Sequence, residues 1–371
     1  MGDTSSLKTL PLEELHIASG ARFGGFAGWN MPLTYPLGVM KEHVHTREQA
    51  GLFDISHMKL IEVSGSDAAA LFAKLCPIDV TKLNEGQSKY TFLMNDDAGI
   101  IDDLIVTRLG DERFMIVANA GNADIDIAHF QKGAAGLNCT VTPLDRVLLA
   151  IQGPQAADVM KSIASDLGFS VEELKFMHGF EPKQGWFVTR SGYTGEDGFE
   201  IAAPLSDAQA LAKSLLGDAR VAWIGLAARD SLRLEAGLCL HGQDITETID
   251  PVSAGLTWAI TKAVRETAAF PAAAKVLELI ANGPEKRRVG IKPEGRQPVR
   301  AGTKLFDEAG SEVGEITSGG FGPSAGFPVA MGYVRADLKE PGTRLFAEVR
   351  GNKVPVDVHT LPFTQPRYHK G

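Results

Sequence analysis

Along the first two-thirds of the chain, short apolar runs alternate with segments whose apolar residues recur every three to four positions, the respective marks of strands and helices. One such combination occurs twice. Val63-Ser-Gly-Ser-Asp-Ala-Ala-Ala-Leu-Phe-Ala-Lys74 and Ile151-Gln-Gly-Pro-Gln-Ala-Ala-Asp-Val-Met-Lys161 share a glycine, an Ala-Ala pair and a following apolar pair. Each predicts a strand end, a glycine turn and a helix, with Ser66 and Pro154 suited to the helix starts. Each is followed by a hairpin with an acidic, glycine-containing turn, first Lys89–Arg108 and then Trp186–Leu205. A further helix is expected over Ser206–Leu216, from the spacing of Ala208, Leu211 and Leu215. The repeat predicts two related α+β units packed together, with their strands interleaved or not.

Beyond the polar segment Ala281–Arg288 the pattern changes to short alternating runs: Val289–Ile291, Thr303–Phe306, Glu312–Thr317, Val329–Val334, Thr343–Val349 and Lys353–His359. These predict a small all-β barrel or sandwich. Gly319-Gly-Phe-Gly-Pro-Ser324 is read as lying between strands; it leads into no helix and so cannot cradle a nucleotide phosphate.

At 371 residues the chain is long enough for two or three domains. Its formal charge of −9 argues against nucleic acid, which demands a basic surface. Neither a membrane-length apolar run nor the apolar core of a signal peptide is present. Met1-Gly-Asp-Thr-Ser-Ser6 fits the myristoylation pattern formally, but no basic patch accompanies it, and a disordered start is expected. Cys76, Cys139 and Cys239 are scattered, as thiols in a reducing compartment would be, and no pair has metal-ligand spacing. His43 and His45 stand two apart on an expected helix and so do not share a face.

Four patches carry candidate chemistry. Asp102 and Asp103 sit side by side in an apolar strand, with Tyr90 upstream and Asn119 on the next strand. Burying a carboxylate is costly without a partner, and strand alternation sends the two side chains to opposite faces, so one at most is chemical. The second patch is Tyr193 through Glu200. The third is the helix Ile224–Leu238, where Arg229 and Arg233 share a face and Arg233 can pair with Asp230. The last is Arg367-Tyr-His369, for which a frayed tail is the default. Together they imply a cleft of carboxylates, tyrosines and an arginine, suited to an anionic, aromatic ligand that also donates hydrogen bonds.

At these residues the chain strongly resembles the aminomethyltransferase (T-protein) family of the glycine cleavage system. The resemblance rests on Phe26–Leu33, Gly51–Met58, Asp102–Arg108, Arg190–Glu200 and Ala228–Leu238, in that order and nearly end to end. It implies a three-domain, cloverleaf-like α+β fold around a central folate channel, closed by a C-terminal β-barrel. The domains expected are 1–55 with 145–240, then 56–144, a connecting segment 241–284, and the barrel 285–371. The implied reaction moves the methylene carbon of an aminomethyl group, carried on the dihydrolipoyl arm of the H-protein, to tetrahydrofolate, giving 5,10-methylenetetrahydrofolate and ammonia. No metal or flavin is implied.

By the same resemblance Asp103 is the catalytic residue, stabilising cationic character near the folate N5 or N10 and helping to move a proton. Glu200 faces the donors of the pterin edge and Arg229 the ligand's anionic side. Tyr193, Tyr90 and Tyr368 wall the folate, and Asn119 is a neutral polar contact. Phe176 stands where some members carry tyrosine, so it packs on the folate without a hydroxyl. His57 and Met58 lie beside the site, either lining it or packing the core. Rival readings are a folate-dependent demethylase and a folate-binding scaffold of iron–sulfur assembly. The scaffold group carries a cysteine near the position of Arg190-Ser-Gly-Tyr193, where this chain has none. Bacterial cytoplasm is the expected location, or the mitochondrial matrix for a processed form.

Overall fold

The computed structural model describes residues 7–370, so the Met1–Ser6 pattern lies outside the described residues. Both copies of the repeat fold alike. Strand Lys59–Ser64 turns at Gly65 into helix Ala68–Leu75, and strand Val147–Gln152 turns at Gly153 into helix Ala156–Leu167. The two glycines share a backbone conformation, φ 129° and 131°, that side-chain-bearing residues rarely adopt. A Cβ would also run into the Asn138 carbonyl in the first unit and the Gln49 carbonyl in the second. Ser66 and Pro154 do not start the helices as expected. Asp67 and Gln155 precede them and neither side chain caps; instead Ala68 and Ala156 each donate a backbone bond of 3.0 Å to the turn glycine.

Each unit contributes a sheet. Ser88–Met94, Ile100–Gly110, Arg113–Ala118, Lys59–Ser64 and Thr140–Leu144 form one, neighbours in that order and antiparallel. The other runs His178–Phe180, Phe187–Arg190, Gly198–Ala203, Val147–Gln152, Ala50–Asp54 and Val221–Trp223, with only the last pair parallel. Strand alternation divides the apolar residues between two layers. Leu149, Ile151, Phe199 and Ile201 pack under helices through Val159, Met160, Leu211 and Leu215. Ile61, Val63, Phe114 and Ile116 do the same with Leu71, Phe72 and Phe130. The opposite faces, with Leu148 and Ala150 from one sheet and Leu60, Met115 and Val117 from the other, meet in a shared core with Ile224 and Leu232. Burial on both faces is why these strands read as continuous apolar runs.

The C-terminal third is a barrel rather than a sandwich. Lys286–Pro293, Phe327–Arg335, Glu312–Gly322, Lys304–Phe306, Arg344–Val349 and Asn352–His359 close on one another in that order. Gly319–Gly322 is strand, not the expected loop, pairing with Phe327–Ala330. Close packing explains the glycine: a Cβ at Gly319 would strike the Val299 carbonyl. The segment before the barrel forms helices Lys262–Thr267 and Ala273–Asn282, and its Val252, Leu256, Ile260 and Val276 join Phe92, Met94 and Ile100 to Tyr333 of the barrel. The first hairpin is thereby clamped against the third domain. Cys76, Cys139 and Cys239 are free thiols. No helix of the described residues is long and apolar enough to cross a membrane.

Candidate active site

Asp102 and Asp103 lie on the second strand of the first hairpin, opposite Leu93 and Phe92. Asp102 is fully buried and Asp103 half-buried. Alternation does separate their side chains, but it does not make them independent. Asn119, just past the end of strand Arg113–Ala118, donates from Nδ2 to Asp102 Oδ1 at 2.9 Å and to Asp103 Oδ1 at 2.8 Å. Its backbone N–H also reaches Asp102 Oδ2 at 3.3 Å. Asn119 is therefore a clasp across the carboxylate pair, which a strand diagram alone does not reveal. Burial, and next the charge of Asp102, push the Asp103 carboxyl up to about 6 against the influence of His241 and the hydrogen bonds of Tyr90 and Asn119. Tyr90 in turn stacks on the exposed Trp258, ring centres 5.3 Å apart.

The second hairpin carries Glu200 opposite Ala150 and Thr189. Ser191 Oγ donates to its Oε2 at 3.0 Å. Burial raises the Glu200 carboxyl, while the Arg229 charge and the Ser191 bond oppose that rise. Arg229 projects from helix Leu226–Glu235 over the Tyr193 ring, 4.7 Å from its centre. Its hydrogen-bond contact within the protein is Met58 Sδ at 3.8 Å; among the described residues no carboxylate is within ion-pairing distance. Tyr193 is held by donating to the Cys239 carbonyl. His57 is buried with Nδ1 unpartnered, beside a small cavity shared with Met31, Asp54 and Arg229. Burial and then the Arg229 charge depress its imidazole to about 3, so His57 is neutral. A guanidinium without a counterion and an imidazole nitrogen without a partner are polar groups left for something else to satisfy. Both His57 and Met58 border Arg229.

Arg233, one helical turn on, serves the fold instead. It bonds Asp244 at 2.7 Å, Asp230 at 2.8 Å and Ser318 at 2.9 Å, tying helix to barrel. The C-terminal tail is not frayed. Arg367 pairs twice with Glu196 at 2.8 Å, and the Phe176 backbone N–H donates to the His369 carbonyl at 3.1 Å. Tyr368 stacks flat on Phe176, centres 4.2 Å apart and planes 14° from parallel. The structure thus forms one group of Asp103, Asn119 and Tyr90, a second of Glu200, Tyr193 and Arg229, and a third of Phe176 and Tyr368 fixed to the turn of the second hairpin. Burial raises the Tyr193 hydroxyl, with the Arg233 charge opposing that rise and the Asp103 charge adding to it. His43 and His45 pack: His43 bonds Ser231, Glu235 and Ser324, and His45 the carbonyls of Ala50 and Arg220. No cluster among the described residues could hold a metal ion.

Sequence reasoning missed Asp126, His241, Trp258 and Glu196. Asp126 did carry a signal, being an acid four residues before Phe130 on the buried face of helix Ala123–Gly133. Glu196 lies inside a block already singled out. His241 and Trp258 had none, because only the fold brings their loops to the hairpin.

Comparison with known proteins decides the family. Residues 12–263 match the GCVT N-terminal domain and residues 286–365 the glycine cleavage T-protein C-terminal barrel domain. The chain belongs to the glycine cleavage T-protein family. It is 41% identical to the mitochondrial aminomethyltransferase of Gallus gallus, covering 98% of this chain and 94% of that protein. The Homo sapiens mitochondrial aminomethyltransferase is 39% identical, covering 98% and 91%. Among solved structures, the glycine cleavage system aminomethyltransferase T from Bartonella henselae superposes with a TM-score of 0.95 at 60% identity, covering 98% of this chain and all of that one. The chain thus has the T-protein fold and is an aminomethyltransferase-family member rather than an iron–sulfur scaffold.

Proposed function

We propose that this T-protein family member takes the aminomethyl group from the dihydrolipoyl arm of a lipoylated H-protein and passes its methylene carbon to tetrahydrofolate. The C–N bond to the amine breaks, ammonia leaves, the lipoyl thiol is freed, and the carbon ends bridging N5 and N10 as 5,10-methylenetetrahydrofolate. The observation that carries the proposal is the Arg229 guanidinium, half-buried beside Tyr193 with no carboxylate partner among the described residues. Glu200, with one of its oxygens bonded only to Ser191, is the acceptor for the amino group and ring N–H of the pterin. Two such charge-assisted bonds are short and about twice as strong as neutral ones.

Tyr193, Tyr90, Phe176 and Tyr368 supply flat walls for the ring system. Asp103 faces the reacting carbon: as a carboxylate it stabilises positive charge on the departing amine and the folate nitrogen, and at its raised pKa it can accept and return a proton near neutrality. Bacterial cytoplasm is the location proposed, and the alternative is the mitochondrial one printed for the Gallus gallus and Homo sapiens relatives. The test is ammonia release from aminomethylated H-protein with and without tetrahydrofolate. Release that requires folate is expected; equal release in its absence would overturn the folate role, and none in either case the transfer.

A further inference from the structure

Helix Ala123–Gly133 buries Asp126 completely, on the same face as Phe130. No N–H or O–H donor of the described residues reaches either oxygen of its carboxyl. Asn122, one helical turn before Asp126, donates to the carbonyl of Ile101 beside Asp102 at 2.9 Å, which brings the buried Asp126 carboxyl to the buried Asp102, the carboxyl it interacts with. Asp102 already accepts both bonds that Asn119 can offer it, from Nδ2 at 2.9 Å and the backbone N–H at 3.3 Å. Two buried carboxyls can adjoin without severe repulsion only if they share a proton.

Among the described residues no neighbour donates a hydrogen bond to Asp126 in place of that proton. His241 Nδ1 lies 3.7 Å from Asp102 Oδ1. However, its Nε2 faces the Ile100 carbonyl at 3.2 Å and must donate there, while Nδ1 accepts from Asn122 Nδ2 at 3.0 Å. Asn122 Nδ2 also donates to the Ile101 carbonyl at 2.9 Å, which fixes the amide orientation and leaves His241 Nδ1 facing a donor rather than donating to Asp102. The remaining titratable groups are Asp103 across Asn119, Tyr90 beyond it, and Cys76, whose thiol burial pushes upward. All of these are neutral or acidic. Burial, followed by the charge of Asp102, raises the Asp126 carboxyl far above the ordinary carboxylate range.

We propose that Asp126 holds a proton and donates it to Asp102, and is thereby a positioning residue: it seats Asp102, Asp102 seats Asn119, and Asn119 aims Asp103. The last link rests on the proposed role of Asp103; the shared proton does not.

The proton is tested without turnover, by denaturant unfolding of the full chain and of Asp126→Asn across about pH 5 to 8. In the unfolded chain Asp126 ionises near its ordinary value of 3.8. The native wild type keeps the proton, so its folding constant should fall about tenfold per pH unit relative to the variant. A flat difference would overturn the proposal. If the variant does not fold, the infrared carbonyl stretch of a protonated carboxylic acid at neutral pH is read on the wild type, and its absence is equally fatal. The positioning role is tested by turnover. Asp126→Asn, which retains an N–H donor for Asp102, should keep kcat within about twofold, whereas Asp126→Ala should lose about tenfold in kcat with little change in the KM for folate. The acid limb of the pH–rate profile should move up in the alanine variant alone. Equal losses in both variants with an unmoved limb would leave Asp126 no positioning role, even with the shared proton established.

Discussion

The hairpin of Ser88–Met94 with Ile100–Gly110 and that of Phe187–Arg190 with Gly198–Ala203 hold equivalent places in the two repeated units. Each follows a strand, a positive-φ glycine and a helix, and each bears a half-buried carboxylate on its second strand. Burial raises Asp103 and Glu200 alike, but the next contribution has opposite sign: the Asp102 charge adds to the first, and the Arg229 charge opposes the second. One scaffold thus carries two carboxyls that burial raises, the first with a like charge that adds to the rise and the second with a countercharge that limits it. The difference lies in one neighbour, not in backbone geometry.

The largest effect that would sharpen this contrast is loss of the first of these carboxyls. Asp103→Asn, nearly isosteric, should lower kcat by about 10²–10⁴ while the KM for folate stays nearly constant, as removal of an acid–base and charge-stabilising group does. Steady-state kinetics with loaded H-protein would show it; near-normal kcat would refute the catalytic assignment. Glu200→Gln should do the reverse, raising the folate KM about ten- to a hundredfold with a smaller change in kcat, because it weakens a charge-assisted contact.

Shared architecture makes a prediction of its own. Gly65→Ala and Gly153→Ala should destabilise by similar amounts, at least about 1–3 kcal/mol each, from backbone strain plus the carbonyl clash. Denaturant midpoints that differed widely would break the equivalence of the two units.

pH separates the hairpins next. With its folded-state pKa raised to about 6, Asp103 is protonated in acid, so kcat/KM should rise as pH increases through that value. The limb should vanish in Asp103→Asn and persist in Glu200→Gln. For stability the sign is opposite: keeping Asp103 protonated favours the folded state in acid, and that contribution falls as pH climbs from the ordinary 3.8 towards about 6. The smallest effect is expected at Phe176→Tyr, where an added hydroxyl beside Tyr368 should change the folate KM by no more than about threefold, read by folate titration.

The repeat, the barrel strands and the family motifs were legible because each rests on local pattern: alternation, glycine at a turn, apolar spacing along a helix. Asp103, Glu200 and Arg229 stood out as charges within apolar runs, where a reason is always required. Gly319–Gly322 was misread as loop because the close approach that demands glycine there comes from Val299, on a neighbouring segment rather than the next residue. The tail was misread as frayed because what anchors it, Glu196, is 171 residues away in sequence.

By itself the sequence determined the family, the repeated α+β frame with its β-rich third domain, and which side chains are chemically unusual, since these follow from short-range periodicity and residue type. Only the tertiary structure decided what each unusual group faces. It set Asn119 across two carboxylates, left Arg229 without a counterion among the described residues while Arg233 found two, and buried Asp126 beside Asp102. Electrostatic character depends on distance and burial, and residues far apart in the chain acquire both only when it folds.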